Sequence, residues 1–283
     1  MNVKSVFVLR AALLCAALAF CGSARANPRP LPFTYPYETL PEGSAEVELY
    51  SDMTPLRVNQ DSTDTSKGRL WEPFYRLQTE FEYGITDRWE LGFYQVFEAN
   101  PQDGGTNSLT FDGFKWRIRT RLAEAGKLPV DVAFYLELET MHDELALEEK
   151  VILQKRFGRL RWMGNVWVEQ ALERPFDTKP PRSNIQLVVN PSTGFSYELS
   201  PKVQVGFEYW ARGKPFKKQD DEASFVDRRN DQVHHFLGPT AHFNLGRMWL
   251  TLGLYAHLND ADKPQPGEIY GPMWFRSVIG IDL

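Results

Sequence analysis

Val130-Asp131-Val132-Ala133-Phe134-Tyr135-Leu136-Glu137-Leu138-Glu139 alternates from end to end. Val130, Val132, Phe134, Leu136 and Leu138 form one set, and Asp131, Ala133, Tyr135, Glu137 and Glu139 form the other. A period of two puts the sets on opposite faces of a strand. The usual strand has ~5–6 residues, and a tilted strand crossing a bilayer needs ~9–11. This stretch has the second length. The alternation recurs along the chain, and helical period is almost absent.

Working outward, the pattern predicts an all-β fold, a transmembrane antiparallel up-and-down β-barrel of about 12 strands. The predicted strands are 44–52, 73–83, 88–97, 111–122, 130–139, 145–156, 161–171, 184–198, 203–211, 232–244, 248–256 and 273–283. Gaps between them alternate in length. Gaps 53–72, 98–110, 172–183, 212–231 and 257–272 are long and polar, whereas 84–87, 123–129, 157–160, 199–202 and 245–247 are short. Outer-membrane barrels have short periplasmic turns and long outer loops. The short connection 140–144 is the exception.

Aromatic positions separate this barrel from a secreted sandwich. Tyr83, Trp89, Trp162, Tyr197 and Phe243 fall on the apolar phase beside short turns, and Phe97, Phe114, Tyr209 and Phe275 near the long loops. Between them lie aliphatics such as Leu77, Leu91, Ile118, Val166, Leu187, Val205, Leu252 and Ile279. Two girdles around an aliphatic band describe a lipid-facing surface. Phe275 to Leu283 alternates to the last residue, as in strands offered to the barrel-assembly machinery. Pro191 and Pro239 fall inside predicted strands, where bulges are expected because proline removes a ladder bond. Glu149 lands on the apolar phase, a costly place away from an interface.

The start of the chain has the form of an export signal. Lys4 and Arg10 precede an apolar run from Ala11 to Phe20, and Ala24-Arg25-Ala26 fits a signal-peptidase site. The expected organisation is a signal peptide at 1–26, an extended periplasmic segment at 27–43 and the barrel at 44–283. Cys21 admits a lipid-anchored alternative, disfavoured by bulky Phe20 before it. Cys15 and Cys21 both lie in the removed segment, so disulfides, thiolate metal sites and cysteine nucleophiles are excluded. Losing Lys4, Arg10 and Arg25 takes the net charge from −5 to −8, which argues against a nucleic-acid partner. No later stretch reaches the ~18 apolar residues of a membrane helix.

The polar phase should line the lumen. Lys115, Arg117, Arg119 and Arg121 form a basic ladder on the fourth predicted strand, joined by Arg76 and Lys150. Glu46, Glu48, Glu80, Glu82, Glu90, Asp131, Glu137, Glu139, Glu169 and Glu208 share that face. Such charges either set the selectivity of a pore or pair across the wall and hold it together. Arginines of the fourth strand are expected to pair with Asp131 and Glu137. Tyr50, Tyr94, Tyr135, Trp167, Trp210, Trp249 and Tyr255 also point inward and narrow the lumen, either filling it or stacking on ring-bearing solutes.

No nucleophile elbow, phosphate loop or zinc-protease motif is present. His142, His234, His235, His242 and His257 have no serine in the arrangement of barrel phospholipases. His234 and His242 face the lumen without further metal ligands in view, and no cofactor is implied. The charged stretch from Gly213 to Asn230 reads as a solvated outer loop or one folded inward as a constriction.

Arg29 to Tyr35, Tyr83 to Leu91 and Pro129 to Glu137 resemble a group of uncharacterised bacterial outer-membrane β-barrel proteins. The resemblance implies fold and location in the bacterial outer membrane, and carries over no site residues. The first expectation is a passive channel for small polar or charged solutes. The second is a closed-lumen structural or interaction barrel, and the third, lacking any motif, a lipid-modifying enzyme. Expected partners are outer-membrane lipid and lipopolysaccharide, the assembly machinery through the last strand, and a small solute.

Overall fold

Alternating segments fold into strands because one face can meet lipid while the other meets the lumen. In a computed structural model, which describes residues 29–59, 69–101, 108–142, 144–173, 185–213, 233–259 and 269–283, they form twelve strands. These are β1 (Ala45–Asn59), β2 (Arg69–Thr86), β3 (Trp89–Ala99), β4 (Thr110–Arg121), β5 (Asp131–Met141), β6 (Glu144–Phe157), β7 (Leu160–Glu173), β8 (Ile185–Ser200), β9 (Val203–Arg212), β10 (His234–Asn244), β11 (Met248–His257) and β12 (Met273–Asp282). Each pairs antiparallel with its sequence neighbours. β1 closes on β12 from Glu46↔Asp282 to Met53↔Phe275, so the sheet has no edge. Ten residues tilted by about 40° span about 25 Å, the height of an outer-membrane apolar band. The export signal and nearly all of the charged 213–230 stretch lie outside the described residues.

The expected phases hold. The inward acids named above are all buried, as are the seven inward aromatics. Leu49, Leu91, Leu136, Val166, Val205 and Leu254 are exposed on the outer face. That face is less sorted than expected, because Phe81, Trp116, Phe134, Phe195 and Phe207 stand exposed at mid-strand. Phe93 packs on Trp116 across β3 and β4 with ring centroids 4.4 Å apart.

Two details of the strands differ from the sequence reading. β1 and β2 run on through most of the expected loop 53–72, as far as Asn59↔Arg69. Pro55 faces Pro73 in that register, while Thr54, Leu56 and Phe74 are fully buried on the inward phase. Proline masked an alternation that continues. The bulges expected at Pro191 and Pro239 are absent, because Val166↔Pro191 and Pro239↔Phe207 sit in unshifted registers. Register shifts fall instead at Gly84/Thr86, Val96/Phe97 and Glu198/Ser200. Glu149 is exposed on the outer face, 3.4 Å from Gln170 Nε2 of the next strand. The Phe157–Leu160 hairpin turns through Gly158 at φ 61°, the positive value a two-residue connection demands.

The expected periplasmic segment is placed differently. Residues 29–37 are buried and reach into the barrel from its short-turn end, where Gly43 N–H donates to Gly84 O at 2.8 Å. A Cβ on Gly84 would lie 2.1 Å from Pro41 O, so only glycine lets the chain pass there.

A charge at mid-strand on the outer face should be costly. Leu136→Arg is expected to destabilise the barrel by about 2–4 kcal/mol in equilibrium folding into phosphatidylcholine vesicles. An unchanged unfolding midpoint would contradict a lipid-facing Leu136.

Candidate functional site: the barrel lumen

The lumen is filled in its short-turn half by the chain's own N-terminal segment. Rising from Pro41, Leu40 N–H donates to Glu90 Oε2 at 2.7 Å and Thr39 Oγ1 to Asp87 O at 2.9 Å. Tyr37 N–H reaches Gln154 Oε1 at 3.2 Å, and its hydroxyl donates to Ala123 O. Tyr35 and Tyr94 share a hydroxyl hydrogen bond of 2.9 Å. At the apex Glu208 accepts from Phe33 N–H at 3.0 Å and Thr34 N–H at 2.6 Å. The chain then turns back, Thr251 Oγ1 donating to Arg29 O at 2.7 Å. Leu31 lies against Gly194, where an added Cβ would sit 2.7 Å from its Cδ1.

Aromatic rings of the segment meet cations. The Arg29 guanidinium lies 3.5 Å from the Tyr35 ring centroid, Lys150 Nζ lies 4.5 Å from it, and Arg276 lies 3.8 Å from that of Phe33. Such contacts strengthen where water is excluded. Phe33 also stacks on Trp210 at 4.1 Å and meets Tyr255 and Trp274 edge-on.

The basic ladder of β4 is divided by its surroundings. Arg117, fully buried, pairs with Glu80 at 2.5 Å, with Glu90 at 2.7 Å and with Glu82. Arg119 joins Glu90 at 2.9 Å. These partners belong to β2 and β3, so the expected pairing with Asp131 and Glu137 is not the one formed. Although Glu137 faces Arg117 in the β4–β5 register, the guanidinium leans to the other side. Asp131 accepts instead from Gly126 N–H at 2.6 Å in the β4–β5 turn. Lys115 takes Glu137 at 3.2 Å and Glu139 at 2.9 Å. Arg121 sits at the short-turn rim, bonded to Asp87 O at 2.8 Å and paired with Glu124 at 3.2 Å.

Above the segment a cavity of about 100 Å³ remains. Arg29, Arg76, Lys115, Lys150, Arg212 and Arg276 border it, against the acids Glu137 and Glu148. Of the sequence-derived residues, Arg76, Lys115, Lys150, Glu137, Tyr135 and Trp210 meet at this cavity, whereas Arg117, Arg119, Glu80, Asp131 and Arg121 do not border it. Arg212, Arg276, Trp274 and the segment were missed. One signal was available: Leu31, Phe33, Tyr35 and Tyr37 make 31–37 too apolar for a solvated linker.

His234 and His242 are buried and inward as expected, and His234 Nδ1 lies 3.1 Å from His257 Nε2. His235 faces outward near the long-connection end, where a lipid-modifying site would need it. Its Nδ1 is bonded to Tyr209 at 2.7 Å and its N–H donates to Asn259, neither of them a serine.

Glu208 holds the apex by two charge-assisted bonds, each contributing about 1.5–3 kcal/mol. Glu208→Ala is therefore expected to speed maleimide labelling of Phe33→Cys at least about tenfold. An unchanged rate would remove Glu208 as the anchor.

Comparison with curated proteins finds no match. Among solved structures, the barrel is similar to the COG4313 outer membrane channel from Pseudomonas putida F1. The TM-score is 0.61 at 13% identity, covering 87% of this chain and 98% of that one. It is also similar to the NanC porin, with a TM-score of 0.54 at 6% identity, covering 84% of this chain and 100% of that one. At these identities the likeness is one of fold. Residues 23–268 match the family described as "Family of unknown function (DUF6662)", and the chain belongs to that family.

Proposed function

We propose that this barrel is a passive outer-membrane channel for small polar or charged solutes, throttled by its own N-terminal segment. The observation that carries the reading is the charged cavity inside a closed wall. Charged side chains around a narrow water-accessible path set ion preference. The charged wall is assembled from five strands, by Arg76, Lys115, Lys150, Arg212 and Arg276, with Lys115 as the contribution of β4. Arg117 and Arg119 instead balance the buried acids around the segment. The two similar barrels are a channel and a porin, which supports a non-catalytic role. The reading places the protein in the bacterial outer membrane, exported by a cleaved signal. Its outer face would contact lipid and lipopolysaccharide, and its last strand the assembly machinery.

A second reading, a closed-lumen structural or interaction barrel, is favoured by the filling of the short-turn half by residues 29–41. Planar-bilayer recording separates the two. Refolded protein is expected to give small current steps, and a variant lacking residues 27–41 several-fold larger ones. Lys115→Glu with Arg212→Glu should shift ion preference towards cations. Folded barrels without current in both the full chain and the deletion would establish the closed-lumen reading and end the channel one.

A further inference from the structure

We propose that the inner wall formed by β7, β8 and β9 is a binding site for small ring-bearing carboxylates. The proposal deepens the channel reading and rests on its solute-accessible cavity.

Four inward side chains meet on this wall. Trp167 faces Asn190 across β7 and β8, and Ser192 faces Trp210 across β8 and β9. All are at least nine-tenths buried, at 7%, 0%, 1% and 2% exposure in that order. Trp167 Nε1, Asn190 Nδ2, Ser192 Oγ and Trp210 Nε1 each have no hydrogen-bond partner among the described residues. Asn190 Oδ1 accepts from Gly213 N–H at 2.9 Å, which leaves its NH₂ as the unused end. The unused atoms are two indole N–H groups, an amide NH₂ and a hydroxyl. Every one can donate, and three can do nothing else. Leaving a single buried donor unsatisfied is unfavourable, and adjacent strands here carry four.

Charge at the site has the matching sign. Arg212, two residues beyond Trp210, lies 3.6 Å from Glu169 in an ion pair, and its side chain is 38% exposed. Its guanidinium makes no hydrogen bond among the described residues, so its donor fork is open. Lys150 Nζ lies 4.9 Å from the Trp167 ring centroid. Trp167, Trp210, Lys150 and Arg212 border the cavity, and Asn190 and Ser192 adjoin the two indoles in register without bordering it. Its two acids are already engaged, Glu137 by Lys115 at 3.2 Å and Glu148 by Lys150 at 2.8 Å.

A donor-only surface is complemented by an acceptor-only group. An ionised carboxylate offers two oxygens and no donor, and it suits a planar guanidinium. The Trp167 indole and the tyrosine rings on the same cavity take a ring beside it, Trp210 being stacked already between Phe33 and Phe236. A neutral alcohol offers the Arg212 fork one oxygen in place of two and no charge, and an amine brings a third positive charge next to Lys150 and Arg212.

The test is a titration of the refolded full chain, followed by tryptophan fluorescence, with benzoate, benzyl alcohol and benzylamine. Benzoate is expected to bind saturably and at least about tenfold more tightly than benzyl alcohol, with no binding of benzylamine. Arg212→Gln, a change at a partly exposed side chain, should weaken benzoate about tenfold and leave benzyl alcohol unchanged. Equal affinity for benzoate and benzyl alcohol, or benzoate binding unaffected by Arg212→Gln, would overturn the site. Conductance is read separately. A barrel that conducts but ignores benzoate loses this site alone, and one that binds benzoate while neither the full chain nor the deletion conducts keeps the site and loses the channel.

Discussion

Hydrocarbon offers no hydrogen bonds, so each backbone N–H and C=O within it must find a partner in the chain. The pairing of β1 with β12 meets that demand by removing both edges of the sheet at once. Period-two side chains then have fixed fates, lipid on one side and lumen on the other. Pro191 and Pro239 fit this frame because both sit on the outward phase in unbroken registers. Each removes one donor without shifting the ladder.

Closure creates a second demand. A twelve-stranded wall encloses more space than small side chains fill, and its inner face is polar. Large aromatics take part of the volume, and the Arg117–Glu80–Glu90 network takes part of the charge. Breaking a buried ion pair leaves an uncompensated charge, so such a network gives the wall a specific arrangement more than net stability. The segment from Arg29 to Pro41 fills the rest of the short-turn half. It has no regular secondary structure, so its backbone groups turn to lumen side chains such as Glu208, Glu90 and Gln154.

Strand number, the inward and outward sets and the inward position of Tyr135 and Trp210 were legible in the sequence, because period two encodes a face directly. The lean of a side chain was not. Arg117 stands opposite Glu137 in register yet pairs with β2 and β3, and only the assembled wall decides that. The true ends of β1 and β2 were hidden by Pro55 and Pro73, which interrupt the alternation without ending the strands. The lumenal segment was missed because it has no period, and its prolines read as a linker. The donor cluster of Trp167, Asn190, Ser192 and Trp210 was invisible for a different reason. Its members come from three strands, and only their shared lack of acceptors marks them.

The central claim is that the N-terminal segment lies inside a closed barrel. Cysteine cross-linking tests it most directly, in a chain expressed from Asn27 and so without Cys15 and Cys21, with Arg29→Cys paired with Thr251→Cys. Thr251 Oγ1 lies 2.7 Å from Arg29 O, and Thr251 is fully buried on the inner wall, so these positions meet only if the segment is lumenal. Mild oxidation of the folded barrel in vesicles should give the Cys–Cys peptide by mass spectrometry in high yield. A folded barrel in which both thiols stay free would place the segment outside the lumen and contradict the account.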